Sequence, residues 1–261
     1  MTTSLARASQ AIADAFETAG NRAQDAADAR GSAMLRWLGG LASGACDVGG
    51  AAVVGLGTLG AGARAAGLVG LLSGLAGAAL VLAGKLLALG QAIARAEARK
   101  RALTSHEICV LKKVFHASLS LYDVRLVVGR AGLFDVNARP FTLANTIYMK
   151  RTPARDWDAI LVHEATHVWQ YQHMGSRYAS DALAAQARLG AAAYDWRLCR
   201  PKAWKDFNLE AQAEALADAW RAGASPPGDL APVAAEAHAT VRGAANARPS
   251  VRILRDFACG D

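Results

Sequence analysis

The run ILVHEATHVW, at positions 160–169, holds the most informative spacing in this sequence. His163 and His167 are four residues apart, so a helix would place both imidazole rings on one face, as two ligands of a single metal ion require. Glu164 follows the first histidine and would lie where a carboxylate can take a proton from a metal-activated water. The run therefore predicts a helix that carries a metal site, with Glu164 as the catalytic base.

A third ligand is required, and the sequence offers three candidates. His173 continues the motif at the spacing of a third histidine ligand, but Gln170 stands where that arrangement needs a sharp turn, usually made by glycine. Further along, Glu210, Glu214 and Asp218 share one helical face at intervals of four. Zinc sites of the glutamate type take a ligand from a second helix, and a second acid often holds a ligand histidine. Glu210 backed by Glu214 and Glu214 backed by Asp218 both fit this rule.

The residues around the motif predict an α+β domain over 103–261. Thr104 and Glu107 are spaced as a capping box, which predicts a helix to about residue 118. Two segments rich in β-branched and aromatic residues, Tyr122–Val128 and Thr146–Met149, predict strands. We expect the second strand to lie beside the motif helix and to bind an extended peptide along its edge. Helices are predicted from about 156, and at about 181–195, 207–222 and 230–243.

The first hundred residues have a different composition and form a separate predicted segment, 1–102. After a polar, Ala-rich helix, residues 38–94 are almost entirely Gly, Ala, Leu and Val. The stretch 65–84 has no charge and is long enough to cross a bilayer core as a helix. Gly70 and Gly74 form a GxxxG pair, which lets helices approach closely in lipid. We expect this segment to insert into a membrane; the alternative is a soluble helical hairpin packed on itself or on a partner.

Charge and cysteine content exclude several classes of protein. The net charge of +7 is spread over both segments, and the one tight basic cluster is Arg95, Arg99, Lys100 and Arg101. Without a recognisable reading module, this distribution argues against a nucleic-acid partner. Four cysteines without CxxC spacing predict separate thiols, and a Cys199–Cys259 bridge in an oxidising compartment is the alternative. The N-terminus lacks the order of a Sec signal, so export would use another route.

The segment from about 103 to 222 resembles the HExxH domains that accompany Vgr and Rhs proteins and contractile injection systems, including type VI secretion. The resemblance covers a little under half of the chain and rests on four pieces: LTSHE at 103–107, TIYM at 146–149, HEATHVWQYQ at 163–172 and NLEAQA at 208–213. It implies a zincin-like, gluzincin-type fold, Zn²⁺ as the cofactor and peptidase activity. The family pattern has its ligand glutamate at the head of the last piece, which makes Glu210 the preferred third ligand.

The resemblance also implies a biological setting. A bacterial effector or accessory protein would be cytoplasmic before export, would meet a Vgr/Rhs-like partner, and would act on a protein or peptide substrate in association with a membrane. Tyr171, Tyr194 and Arg197 are the candidate donors to the transition-state oxyanion. Two other functions stay open: a zinc-stabilised adaptor that cleaves nothing, and an effector that perturbs membranes through its Gly-rich helices.

Overall fold

The computed structural model describes residues 4–150, 154–199, 202–223 and 229–244. Within these ranges the chain is mostly helical with one small mixed sheet, which confirms the predicted α+β class. The capping box at Thr104 and Glu107 is present. The helices are α1 (Ser4–Ala29), α2 (Ala33–Ile93), α3 (Ser105–Phe115), α4 (Trp157–Met174), α5 (Arg177–Leu189), α6 (Leu209–Ala222) and α7 (Leu230–Ala244). The strands are β1 (Arg125–Val128), β2 (Phe141–Leu143) and β3 (Thr146–Met149).

The sheet has the order β1-β3-β2, with β3 parallel to β1 and antiparallel to β2. The strand predicted from Tyr122 begins three residues later, because Ser120 and Asp123 form a turn closed by a 2.6 Å hydrogen bond from Ser120 Oγ to Asp123 Oδ2. Strand β2 was not predicted, because its three residues are too few for a periodic signal. The strand that borders α4 at the edge of the sheet is therefore β2, and the prediction that β3 offers its edge is wrong.

The long helical segment α2 is a hairpin. Its two arms, Ala33–Gly60 and Gly67–Ile93, run antiparallel, since a Cβ built on Gly55 would lie 3.0 Å from Ala78 Cβ and one built on Gly74 would lie 3.4 Å from the Thr58 carbonyl oxygen. Gly67 has φ +58, a conformation that glycine adopts without steric cost, and this residue allows the reversal. The two arms therefore pack on each other as a helical hairpin, an arrangement that is compatible with both alternatives for this region.

The two charges in the middle of the hairpin neutralise each other. Lys85 on the second arm lies 3.2 Å from Asp47 on the first, and its Nζ also donates to Thr146 Oγ1 of β3 at 3.0 Å. Lys100 contacts the same Asp47 carboxylate at 2.8 Å. Because these groups are buried, the pairing and the additional hydrogen bonds offset the cost of removing the charges from water.

The hairpin and α1 share a core with the following segment. Ala51, Val54 and Val81 of the hairpin pack with Tyr171 of α4 and Tyr178 of α5 in one buried cluster. Polar contacts join the same surfaces, including Arg125 Nε to Asn21 Oδ1 at 2.8 Å and Asn145 to Glu17. Helix α1 and the hairpin therefore pack against the part of the chain that carries the motif.

The outward face of the hairpin is apolar. Each arm is long and apolar enough to cross a membrane by length and composition. The large side chains of the second arm point outward: Leu68 and Val69 are 69% and 75% exposed, and Leu72 and Leu75 are also exposed. Gly70, Gly74 and Gly77 of the same arm are covered. The predicted GxxxG face therefore packs inside this molecule and leaves the leucines on the surface.

One expectation about the cysteines is wrong. Cys46 and Cys199 are free thiols, as predicted, but Cys109 is disulfide-bonded. Spacing along the chain does not reveal which distant sulfur atoms the fold brings within bonding distance.

Candidate metal centre

Helices α4 and α6 carry the motif residues and pack against each other. Every residue of α4 from Leu161 to Gln172 is buried, because this helix lies between the sheet and α6. Helix α6 begins at a cap in which the Asn208 side chain accepts a hydrogen bond from Ala211 N at 3.0 Å. This cap places Glu210 in the first turn of α6, opposite the motif histidines.

Three side chains converge on one point. Glu210 Oε2 lies 3.5 Å from His163 Nε2 and 3.4 Å from His167 Nε2. Each of the three residues has one ligand atom that lies within 4.8 Å of the ligand atoms of the other two, and all three residues are buried. The structure thus brings together His163, His167 and Glu210, two imidazoles and one carboxylate, which is a donor set that binds Zn²⁺.

A second layer of hydrogen bonds orients the two histidines. His163 Nδ1 lies 3.0 Å from Glu214 Oε2, and His167 Nδ1 lies 2.8 Å from Gln170 Oε1. Both partners are acceptors, so each Nδ1 carries a hydrogen, and the Nε2 atom of each ring is the one that faces Glu210. Gln170 is held in turn by donating to the Leu209 carbonyl oxygen at 3.1 Å.

Two predicted candidates lie elsewhere. His173 Nε2 donates to the Ser118 carbonyl oxygen at 2.9 Å, and its ring contacts Trp169, on another side of α4 from the convergence point. Asp218 accepts hydrogen bonds from Trp196 Nε1 at 2.9 Å and from Arg221 at 2.7 Å. The carboxylate that holds a motif histidine is that of Glu214, and Asp218 supports Glu214 only indirectly, through Arg221.

Burial and opposite charges set the protonation of these groups. Burial opposes protonation of His163, but hydrogen bonds to Glu210 and Glu214 outweigh it and raise the pKa of His163 to about 10. Burial acts against ionisation of Glu214, yet His163 and Arg221 lower its pKa to about 2. The carboxylates therefore favour positive charge at the point where the three ligand atoms meet.

Glu164 lies beside this point and contacts the edge strand. Thr142 Oγ1 of β2 lies 2.9 Å from both the Glu164 carboxylate and the Glu164 carbonyl oxygen. Burial raises the pKa of Glu164, while the charges of His163 and His167 oppose that rise. A carboxylate with a raised pKa, next to a cation site, suits proton transfer near neutral pH.

The site opens into a cleft of about 840 Å³. Its walls include β2, α5 and residues Leu80 and Gly84 of the hairpin. No local pattern predicts the contribution of the hairpin, because these two residues lie more than 70 positions before the motif. Among the candidate oxyanion donors, Tyr194 lines the cleft with its ring 6.0 Å from that of His163. Tyr171 is fully buried in the hairpin-facing core, and Arg197 pairs with Asp229.

Comparison with known proteins identifies no relative: no family model, no curated protein and no solved structure matches this chain. The functional interpretation therefore rests on the geometry of the cleft.

Proposed function

We propose that this chain is a zinc-dependent peptidase with a zincin-like, gluzincin-type site. The observation that carries the proposal is the convergence of His163, His167 and Glu210 in a cleft that also contains Glu164. Metal binding alone does not require a second carboxylate beside the ligands, whereas hydrolysis requires a base there.

The donor set supports zinc. Two imidazoles and one carboxylate leave one position of a tetrahedral ion open, which distinguishes catalytic from structural zinc sites. Zn²⁺ bound there would act as a Lewis acid and lower the pKa of its water. The hydrogen bonds that His163 and His167 donate to Glu214 and Gln170 support the same assignment, since ligand histidines usually donate their other ring N–H to such acceptors.

The chain's own residues then have separate roles. Glu164 takes the proton from the attacking water and passes it to the leaving amine. Thr142 holds the Glu164 carboxylate through a 2.9 Å hydrogen bond. Burial raises the pKa of the Tyr194 phenol, so Tyr194 stays protonated and is the candidate donor to the oxyanion. The guanidinium of Arg139, 5.6 Å from the Tyr194 ring, favours the negative charge that develops nearby.

A peptide substrate would bind along β2. This strand lines the cleft and pairs with β3 on its inner side, and at the Leu143 end of its outer side the Tyr178 hydroxyl accepts from Ala144 N at 2.8 Å. The Tyr178 hydroxyl also donates to the Thr142 carbonyl oxygen at 3.1 Å, so this backbone acceptor is already occupied. A substrate strand would therefore pair with the part of β2 nearer Phe141. Leu80 and Leu183 border the cleft, which favours apolar side chains in the substrate.

The test uses the full-length protein, because the hairpin forms part of the cleft. We expect elemental analysis to find about one zinc per chain in the wild type and in Glu164→Gln, and a strong loss of zinc in His167→Ala. Hydrolysis of labelled, unfolded casein should fall at least ~100-fold in Glu164→Gln, because the base is lost while the ligands remain.

Two results would contradict the peptidase proposal. A well-folded, zinc-supplemented wild type without metal would reject the metal site. Zinc retained by a wild type that hydrolyses nothing, with Glu164→Gln equal in every property, would favour the non-catalytic adaptor.

We further propose that the protein associates with a membrane, in line with a secretion-system effector or accessory protein that is delivered by a non-Sec route. The exposed leucines of the second hairpin arm support this proposal, since soluble monomers rarely expose so large an apolar face. We expect the protein to float with anionic lipid vesicles, and the variant Leu68→Ser/Leu72→Ser/Leu75→Ser to float much less. Leu198→Ser, at a leucine that is 66% exposed away from the hairpin, is the matched control; equal flotation of both variants would reject the assigned surface.

A further inference from the structure

A second cavity lies at the open end of the hairpin, distinct from the cleft that holds the motif. It encloses about 300 Å³ between the two arms, near the point where residues 95–100 leave the second arm. That volume is at the lower end of the range of ligand pockets, roughly 300–1,000 Å³. Most of its lining is apolar, with Trp37, Leu41, Ala88 and Leu89 among the residues that contribute.

The room inside comes from glycine. Gly40 and Gly44 of the first arm face the cavity, and a Cβ built on Gly40 would meet no atom within 4 Å. An interior helical glycine costs about 0.5–1 kcal/mol relative to alanine. The packing of the two arms would allow a larger residue at position 40. Gly40 therefore lowers helix stability and leaves open space in the cavity.

The basic cluster that stands out in the sequence surrounds this cavity. Arg95, Arg99 and Lys100 all line it. Lys100 is paired with Asp47, and Arg99 with Asp28. Arg95 stacks over the Trp37 ring at 5.4 Å and has no carboxylate partner among the described residues.

Two further arginines without a described carboxylate partner, Arg36 and Arg130, line the same cavity. Arg130 donates to the Arg95 carbonyl oxygen at 2.9 Å, which brings the two residues together at the rim. Two carboxyl groups also line the cavity. That of Asp47 is paired with Lys85 and Lys100, and that of Glu97 accepts a hydrogen bond from Gln91 Nε2 at 3.2 Å. The rim is therefore positively charged and the interior is apolar.

Arg95 also occupies an unfavourable backbone conformation. Its φ is +54, just after the end of α2, where helices commonly have glycine. A residue with a side chain in this region loses stability relative to glycine. Arg95 nevertheless occupies this position, and its side chain reaches over the Trp37 ring at the rim of the cavity.

From these observations we propose that the cavity binds a single apolar chain with an anionic head group, the chain between the arms and the head against Arg36, Arg95 and Arg130. Two kinds of ligand have this combination of an apolar chain and an anionic head group: a free amphiphile, and an anionic bilayer lipid that inserts one acyl chain. This site does not depend on the proposed peptidase activity.

Calorimetric titration of the full-length protein with decanoate, below its micelle concentration, tests the proposal. We expect saturable binding of about one decanoate per chain, and decanol, which has the same chain without the charge, should bind about tenfold more weakly. Gly40→Leu should abolish binding, since it fills the cavity without a backbone clash. Arg36→Ala and Arg95→Gly should each weaken binding about tenfold.

The variants separate binding from folding. Arg95→Gly relieves the backbone conformation, so its melting temperature should not fall while its affinity does. Arg188→Ala, at an exposed arginine of α5, is the control that should bind decanoate as the wild type does. Absence of saturable binding, equal affinity for decanoate and decanol, or unchanged affinity in Gly40→Leu would overturn the proposal.

Once decanoate binding is measured, vesicles identify the source of the ligand. Displacement of decanoate by vesicles that contain phosphatidylglycerol, but not by neutral vesicles, would support a bilayer lipid as the ligand. Retention of decanoate in the presence of both would support a free amphiphile.

Discussion

At the scale of single residues, the two motif histidines are oriented by unlike partners. Glu214 comes from α6 and holds His163, whereas Gln170 comes from the motif helix itself and holds His167. A charged acceptor makes the stronger hydrogen bond and raises the basicity of its histidine more than a neutral amide does. Glu214 should therefore matter most for metal affinity among the residues that do not bind the metal.

Replacing Glu214 tests this ranking. We expect Glu214→Ala to lower zinc affinity by about 10–100-fold, because His163 loses its acceptor and Arg221 loses a partner. Asp218→Asn is the matched control and should have a much smaller effect, since Asp218 contacts Arg221 and Trp196 and no motif histidine in the described contacts. Competition with a chromogenic chelator measures both, and equal losses would show that Glu214 acts only through the acidic charge of α6.

At the scale of elements, the second hairpin arm reverses the usual arrangement of an amphipathic helix. Its small residues face inward and its leucines outward. Gly77 lies against the backbone of Ser176 and Arg177, at the turn between α4 and α5, so the glycine allows the arm to approach the motif helix closely. The buried glycines of the second arm, Gly70, Gly74 and Gly77, are thus part of the packing that forms the wall of the cleft.

A side chain at Gly77 should force this contact apart. We expect Gly77→Val to reduce the free energy of unfolding by about 1–3 kcal/mol or more, since a Cβ there would overlap the Ser176 carbonyl group. Gly90→Ala lies in the same arm, meets no atom within 4 Å, and should stabilise the protein by about 0.5–1 kcal/mol. Urea unfolding measures both; no loss in Gly77→Val would mean that the arm does not pack on this turn in solution.

At the scale of the whole molecule, the N-terminal helices complete the fold. Arg125 and Asn145, both buried next to the sheet, find their partners in Asn21 and Glu17 of α1. Lys85 of the hairpin reaches Thr146 in the central strand. Removing the first segment would leave these polar groups without partners and would uncover the core around Tyr171 and Tyr178, and such losses are costly.

The two predicted segments, 1–102 and 103–261, should therefore not separate. We expect the isolated 103–261 fragment to lack a cooperative unfolding transition and to bind an apolar dye, because its hairpin-facing surface is exposed. Circular dichroism with thermal unfolding measures this against the full-length protein. A fragment that unfolds cooperatively would show that the boundary at residue 102 separates independent domains.

Local sequence patterns determined the parts of this structure that depend on local spacing. The four-residue separation of His163 and His167 places both rings on one side of α4, and Thr104 with Glu107 caps α3, because helical geometry relates only neighbouring turns. The α+β class and the central strand followed from composition and periodicity in the same way. Those patterns also narrowed the third ligand to His173, Glu210 and Glu214, but spacing alone did not choose among them.

Tertiary structure decided what depends on contacts between distant segments. The rotation of α6 against α4 directs Glu210 to both Nε2 atoms and Glu214 to His163 Nδ1, a difference of one helical turn that spacing alone cannot resolve. Asp47 pairs with Lys85, and the glycines of the second arm face inward, because the hairpin packs on the sheet and on α5. The physical reason is common to all three: burial and pairing energies depend on three-dimensional neighbours, which a sequence of this composition does not specify.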